Sequence, residues 1–133
     1  MKKLVYICLA APLIWSCAAG QSGPKKPKIE GNWQWQQSSG GFAGRTTTPE
    51  SSNQSRHLQI TKDSVFSYQN GELLSARPYG LKFGKIPLMS QESWYYDEGD
   101  QIKVAVIRQD SLLILKENCA DCFEHRYVKM KEK

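Results

Sequence analysis

Beyond residue 30 no stretch of this chain keeps a helical period; short alternating runs are divided instead by polar turns. Period-two alternation sends successive side chains to opposite faces of a strand. Gly31 to Gln37 alternates in this way, with Trp33 and Trp35 on one face. Arg56 to Lys62 puts Leu58 and Ile60 together, and Ser64 to Tyr68 does the same for Phe66 and Tyr68. Asn70-Gly71 is the strongest turn signal, because both residue types accept the positive φ of a type I′ hairpin. Glu72 to Lys82 reads as the return strand, interrupted near Pro78. Glu92 to Tyr96, Ile102 to Arg108, Ser111 to Lys116 and Glu124 to Met130 complete the set. The pattern predicts an all-β domain without a helix, an antiparallel up-and-down barrel of about eight strands. Such a barrel encloses packed side chains or one small ligand. An open sandwich is the alternative.

The longest connection runs from Ser38 to Gln54 and holds Gly40-Gly41, Gly44, three threonines and Pro49. So long a link in a small domain points to a lid, an ordered loop or disorder.

The N-terminus reads as an address. Lys2-Lys3 precedes an apolar run of 12 residues, Leu4 to Trp15. A spanning helix needs roughly 20 apolar residues, whereas a run of this length suits a signal peptide. The run ends at Ile14-Trp15-Ser16-Cys17, which resembles the bacterial lipobox. That resemblance implies cleavage before Cys17 and lipidation of its thiol, with multiple acyl chains giving stable anchorage. Residues 1–16 are thus expected to be a lipoprotein signal peptide, 17–30 the lipidated cysteine and a flexible tether, and 31–133 the domain. The expected location is the cell envelope, outside the cytoplasm, with the outer membrane favoured.

The formal charge of +5 belongs mostly to that address. From Gly31 onward there are 13 Lys/Arg against 12 Asp/Glu, with no basic cluster. A nucleic-acid partner, which would require such a cluster on a folded face, is not expected.

Removal of Cys8 and lipidation of Cys17 leave Cys119 and Cys122 in the domain. In an exported chain a structural disulfide is the simplest reading of the pair. Cys119, Cys122 and His125 also form a Cys-x2-Cys-x2-His set that suits zinc or copper, the metal alternative. Redox use is disfavoured, because reactive Cys-x-x-Cys pairs sit at helix N-termini.

Several segments carry a family resemblance: Gly31-Asn32-Trp33-Gln34-Trp35, Gly40-Gly41-Phe42-Ala43-Gly44, Thr48-Pro49-Glu50, Asp110-Ser111-Leu112-Leu113, and Asn118-Cys119-Ala120-Asp121 followed by Tyr127-Val128-Lys129. In this order they resemble the small lipocalin-like (calycin) lipoproteins of Bacteroidetes-type bacteria. The late Thr-Asp-x-x-Tyr turn and C-terminal helix of full lipocalins are absent from the sequence. The resemblance implies that Arg126 stacks on Trp33 and closes the barrel base; a surface arginine is the competing reading. It also implies an open end beside the long first loop, with Trp35, Phe42, Tyr68 and Tyr96 as candidate ligand contacts and Phe42 as lid.

No nucleophile motif or phosphate loop is present, and the two histidines are isolated in sequence. Asp97, Glu98 and Asp100 flank Gly99 in what reads as a solvated turn rather than a calcium loop. The expectation is therefore a non-enzymatic binding protein for a small, mainly apolar ligand, needing no cofactor. The rival is an envelope interaction or structural lipoprotein with a filled barrel and protein-binding loops, inhibitor-like in character.

Overall fold

The computed structural model describes residues 23–86 and 89–132. Cys17, the signal segment 1–16 and the first part of the tether lie outside the described residues. Within them the chain forms β1 (Gly31–Gly40), β2 (Arg45–Thr47), α1 (Pro49–Ser52), β3 (Arg56–Ile60), β4 (Ser64–Gln69) and β5 (Glu72–Pro78). These are followed by β6 (Gly80–Lys85), β7 (Glu92–Asp97), β8 (Ile102–Arg108), β9 (Leu112–Glu117) and β10 (Phe123–Lys129). The fold is all-β and antiparallel as the alternation predicts, but it has 10 strands in one curled sheet rather than a closed barrel of eight.

The strand order is β5-β4-β3-β1-β10-β9-β8-β7-β6, with β2 added beside the end of β1. The two outer strands, β5 and β6, are consecutive in the chain and separated only by Tyr79. The outer strands are joined there in the chain but do not pair with each other, so the sheet is curled into an open half-barrel. Tyr79 secures the junction, its N–H donating to Asp63 O at 2.9 Å and its hydroxyl to Thr61 O at 2.8 Å.

The hairpins follow their turn chemistry. Asn70 and Gly71 take φ of 52° and 85°, and Gln109 and Asp110 take 51° and 54°, the positive pair that matches strand twist. The connection expected from Ser38 to Gln54 is largely built. β1 runs on to Gly40, β2 folds back on it, and Thr48 caps the single turn α1 through Ser51 N–H. Among the described residues no helix is long and apolar enough to cross a membrane.

A bulge in β1 decides what faces inward. Trp33 and Trp35 point into the concave face, but the register shifts between Trp35 and Gln37. The extra residue reverses the alternation, so Ser38 rather than Gln37 becomes buried. The core holds Trp33, Trp35, Leu58, Ile60, Val65, Tyr96, Leu113, Leu115 and Tyr127. It also holds Ile29, whose carbonyl accepts from Trp33 Nε1 at 2.8 Å. The packed domain thus begins before Gly31, inside the segment expected to be tether.

Candidate functional site

Pairing across β10, β9, β8 and β7 sorts the concave face into rows. Trp35 opposes Tyr127, which opposes Leu113, which opposes Ile107. One step toward the end of β1, Ser38 opposes His125, which opposes Leu115 and then Ala105. One step further, Glu117 opposes Lys103, which opposes Tyr96. The interior is thus apolar near the start of β1 and polar near its end.

A continuous hydrogen-bonded line crosses this polar part. Trp35 Nε1 donates to Ser38 Oγ at 2.9 Å. Ser38 Oγ lies 2.6 Å from His125 Nδ1, and His125 Nε2 lies 3.1 Å from Glu117 Oε1. Phe123 N–H donates to Glu117 Oε2 at 3.3 Å. An indole N–H only donates, so one arrangement satisfies every member: Ser38 donates to a neutral His125, which donates to Glu117. Serine, histidine and carboxylate here match the composition of a nucleophilic relay. Ser38, however, is only 5% exposed and its oxygen already accepts the indole proton, so its role is to hold the line.

Charged side chains crowd the same end. Glu98 is 8% exposed, with Oε1 3.8 Å from Lys103 Nζ. Lys103 Nζ also lies 5.7 Å from the Tyr96 ring centroid. Arg56 packs its guanidinium 4.6 Å from the Trp35 ring centroid and donates to Gln54 Oε1 at 2.6 Å. Burial pushes the Tyr127 phenol up to about 12, and the carboxylates of Glu117 and Glu98 add to that while Arg56 opposes it. Tyr96 is raised well above its ordinary range, chiefly by burial and then by Glu98.

Above these groups is a pocket of about 380 Å³ lined by Asp100, Gln101, Lys103, Glu117, Asn118 and Cys122. It lies between the β7–β8 turn and the loop joining β9 to β10. Cys119 and Cys122 close that loop as a disulfide, with Cα atoms 5.2 Å apart. Oδ1 of Asn118 is buried without a hydrogen-bond partner.

The residues expected from sequence fall into separate places. Trp35 is fully buried as packing, not exposed to a void. Tyr96 is buried beneath Lys103, whereas Tyr68 stacks on His57 with centroids 4.3 Å apart, away from the pocket lining. Phe42 is 97% exposed at the tip of the β1–β2 turn and covers nothing. Arg126 does not stack on Trp33: it opposes Gln37, on the face opposite Tyr127, and its Nε donates to Glu124 at 2.9 Å. Lys129 occupies the expected place, with Nζ 5.5 Å from the Trp33 ring centroid. The metal alternative fails on its ligands, because Cys119 and Cys122 are bonded to each other and both ring nitrogens of His125 face side chains.

The sequence reading passed over Ser38, Arg56, Lys103, Glu117 and Asn118. Lys103 and Glu117 were findable, since each continues the inward period of Ala105–Ile107 or Leu113–Leu115. Ser38 was not, because its position depends on the bulge. No family model, curated protein or solved structure matches the chain, so the chemistry of these residues carries the functional argument.

Proposed function

We propose that the chain is a lipid-anchored, non-enzymatic binding module of lipocalin-like type, taking a small polar ligand where the β7–β8 turn meets the disulfide loop. The observation that carries this is the placement of Glu98, Lys103, Glu117 and His125 on the concave face of the sheet. Packing alone would put apolar side chains there, since burying charge costs several kcal/mol per ion unless partners compensate. Charged groups kept beside a cavity mark a place where polarity is used. The apolar ligand suggested by the sequence is less well served, because Trp33, Trp35, Leu113 and Leu115 fill the apolar end.

Two further features support the lipocalin-like reading. Taken as two halves of one strand bent at Tyr79, β5 and β6 would reduce the main sheet to eight strands, the number the barrel reading expects. The Gly31-Asn32-Trp33 start also lies under a cation from the last strand, Lys129 in place of the expected arginine. The tether enters at the start of β1, whereas the pocket lies beyond its end, so an acylated Cys17 would turn the mouth away from the envelope membrane. Native mass spectrometry of protein purified from its own host tests the reading. A bound small polar molecule, lost in a Glu117→Gln variant, is expected. A ligand-free wild type that also takes up nothing from host extract overturns it. Membrane release of Cys17→Ala tests the anchor.

A second reading, an envelope protein that binds another protein, is favoured by Phe42 at the loop tip and by exposed Leu73 and Leu74 on edge strand β5. Capture of an envelope partner lost in Phe42→Ala would favour it.

A further inference from the structure

We infer that the end of the fold where β1 begins seats on an anionic lipid surface, an inference that rests on the lipid-anchor part of the reading above. The segment before β1 is not a free tether. Ile29 is fully buried and its carbonyl accepts the Trp33 indole N–H, while Lys25 and Pro27 line a cleft of about 290 Å³ with Phe83, Trp94 and Ile107. Lys25, Lys26 and Lys28 are thereby carried on the folded body, and all three are exposed. β6 and β10 run opposite to β1, so their last residues lie at the end where it starts. Lys85 ends β6, Lys129 ends β10 and Lys131 follows it, each of them exposed.

Among the described residues none of these lysines has a carboxylate within ion-pair distance, whereas Arg77, Lys82, Lys103, Lys116 and Arg126 each do. Lys129 lies over the Trp33 ring instead. Glu30, Glu92 and Glu132 share this end, so the lysines outnumber them two to one. The β3–β4 and β8–β9 turns add one charge of each sign, Lys62 with Asp63 and Arg108 with Asp110. Phe83 and Met130, 40% and 44% exposed, put apolar side chains among the amines. That combination suits a bilayer interface, where anionic headgroups attract the cations and the acyl boundary takes the apolar surface. The reach of the chain names a membrane rather than another polyanion. Cys17 stands six positions before Gly23, a span of at most about 22 Å. An acylated Cys17 keeps this end within that distance of the bilayer, which concentrates the lysines at the surface they fit.

Amide hydrogen exchange of the lipidated protein, reconstituted in two kinds of vesicle, tests the inference. One kind is phosphatidylcholine alone; the other is phosphatidylethanolamine with phosphatidylglycerol. Exchange across residues 25–31 should be about fivefold or more slower on the anionic vesicles. The Lys25→Gln/Lys26→Gln/Lys28→Gln variant should abolish the difference. Each lysine near an anionic surface multiplies binding about fivefold, and three together about a hundredfold. Salt at about 0.5 M should abolish it too, because the Debye length shrinks to about 4 Å. Protein retained by both vesicles but exchanging equally on both overturns the docking and leaves the anchor standing. Slowing produced equally by polyglutamate added to neutral vesicles overturns lipid as the occupant. Failure of the neutral vesicles to retain the protein overturns the anchor and, with it, the membrane as occupant.

Discussion

Ser38 Oγ and His125 Nδ1 lie 2.6 Å apart, and that single hydroxyl joins the buried indole of Trp35 to the polar end of the half-barrel. Removing it leaves both an indole N–H and an imidazole nitrogen without a partner in a closed environment. Ser38→Ala is therefore expected to lower stability by about 2 kcal/mol, the usual cost of orphaned buried polar groups. Urea unfolding followed by tryptophan emission measures this. A loss under roughly 0.5 kcal/mol would show that the line carries little of the fold.

Arginines 56 and 126 should behave oppositely. Arg126 makes an ion pair with Glu124 on the outer face, and exposed pairs contribute about 0–1 kcal/mol. Arg126→Ala should leave the melting temperature nearly unchanged. Arg56 lies over Trp35, where a cation–π contact and its aliphatic stem together contribute about 1–2 kcal/mol. Arg56→Ala should lower stability by that amount and shift tryptophan emission. Reversed effects would restore Arg126 as the barrel-closing residue.

High pH should unfold the domain through its phenols. Burial raises the folded pKa of Tyr127 to about 12, above the value of about 10 in an unfolded chain. Folding therefore favours the protonated phenol. Its contribution is complete below about pH 10 and is lost as pH rises toward 12. Tyr96 is raised for the same main reason and adds to the slope. Absorbance near 295 nm should report late, cooperative ionisation of these tyrosines. Tyr127→Phe should flatten the alkaline loss of stability; an unchanged slope would exclude Tyr127 as its source.

Opening the disulfide should matter more to the pocket than to the fold. Cys119 and Cys122 are separated by three positions, and a loop so short gives about 1–2 kcal/mol at most. The Cys119→Ser/Cys122→Ser double variant should lose no more than this in denaturant titrations. Because Cys122 lines the cavity, ligand uptake should fall more sharply than stability. Uptake equal to wild type would place the ligand elsewhere.

The fold was legible where local chemistry decides it. Asn70-Gly71 announced a hairpin, and the alternation of Trp33 with Trp35 announced an inward face. Legibility failed where one local event moves several side chains. The β1 bulge turned Ser38 inward, and no residue in Trp35-Gln36-Gln37-Ser38 announces it. Ile29 was hidden in a Pro- and Lys-rich stretch that looks unstructured, although its carbonyl and side chain help close one end of the core. Arg126 was placed by analogy against its own strand's alternation: Tyr127 faces the core, so its neighbour faces out. Strand counting predicted a closed barrel where the sheet stays open, because whether two edges pair is a long-range matter that local alternation does not record.

The middle position of β1 has a consequence for how the chain comes to its final state. β1 is bonded to β3 on one side and to β10 on the other, and Met130 N–H donates to Asn32 O at 2.8 Å. The first strand made is thus held by the last, and closing so long a loop must precede the contacts that reward it. Until residues near Lys129 leave the ribosome, Trp33 and Trp35 lack the β10 wall of their core. A polypeptide whose first strand waits for its tenth gains its full core only after the segment around Lys129 has been made.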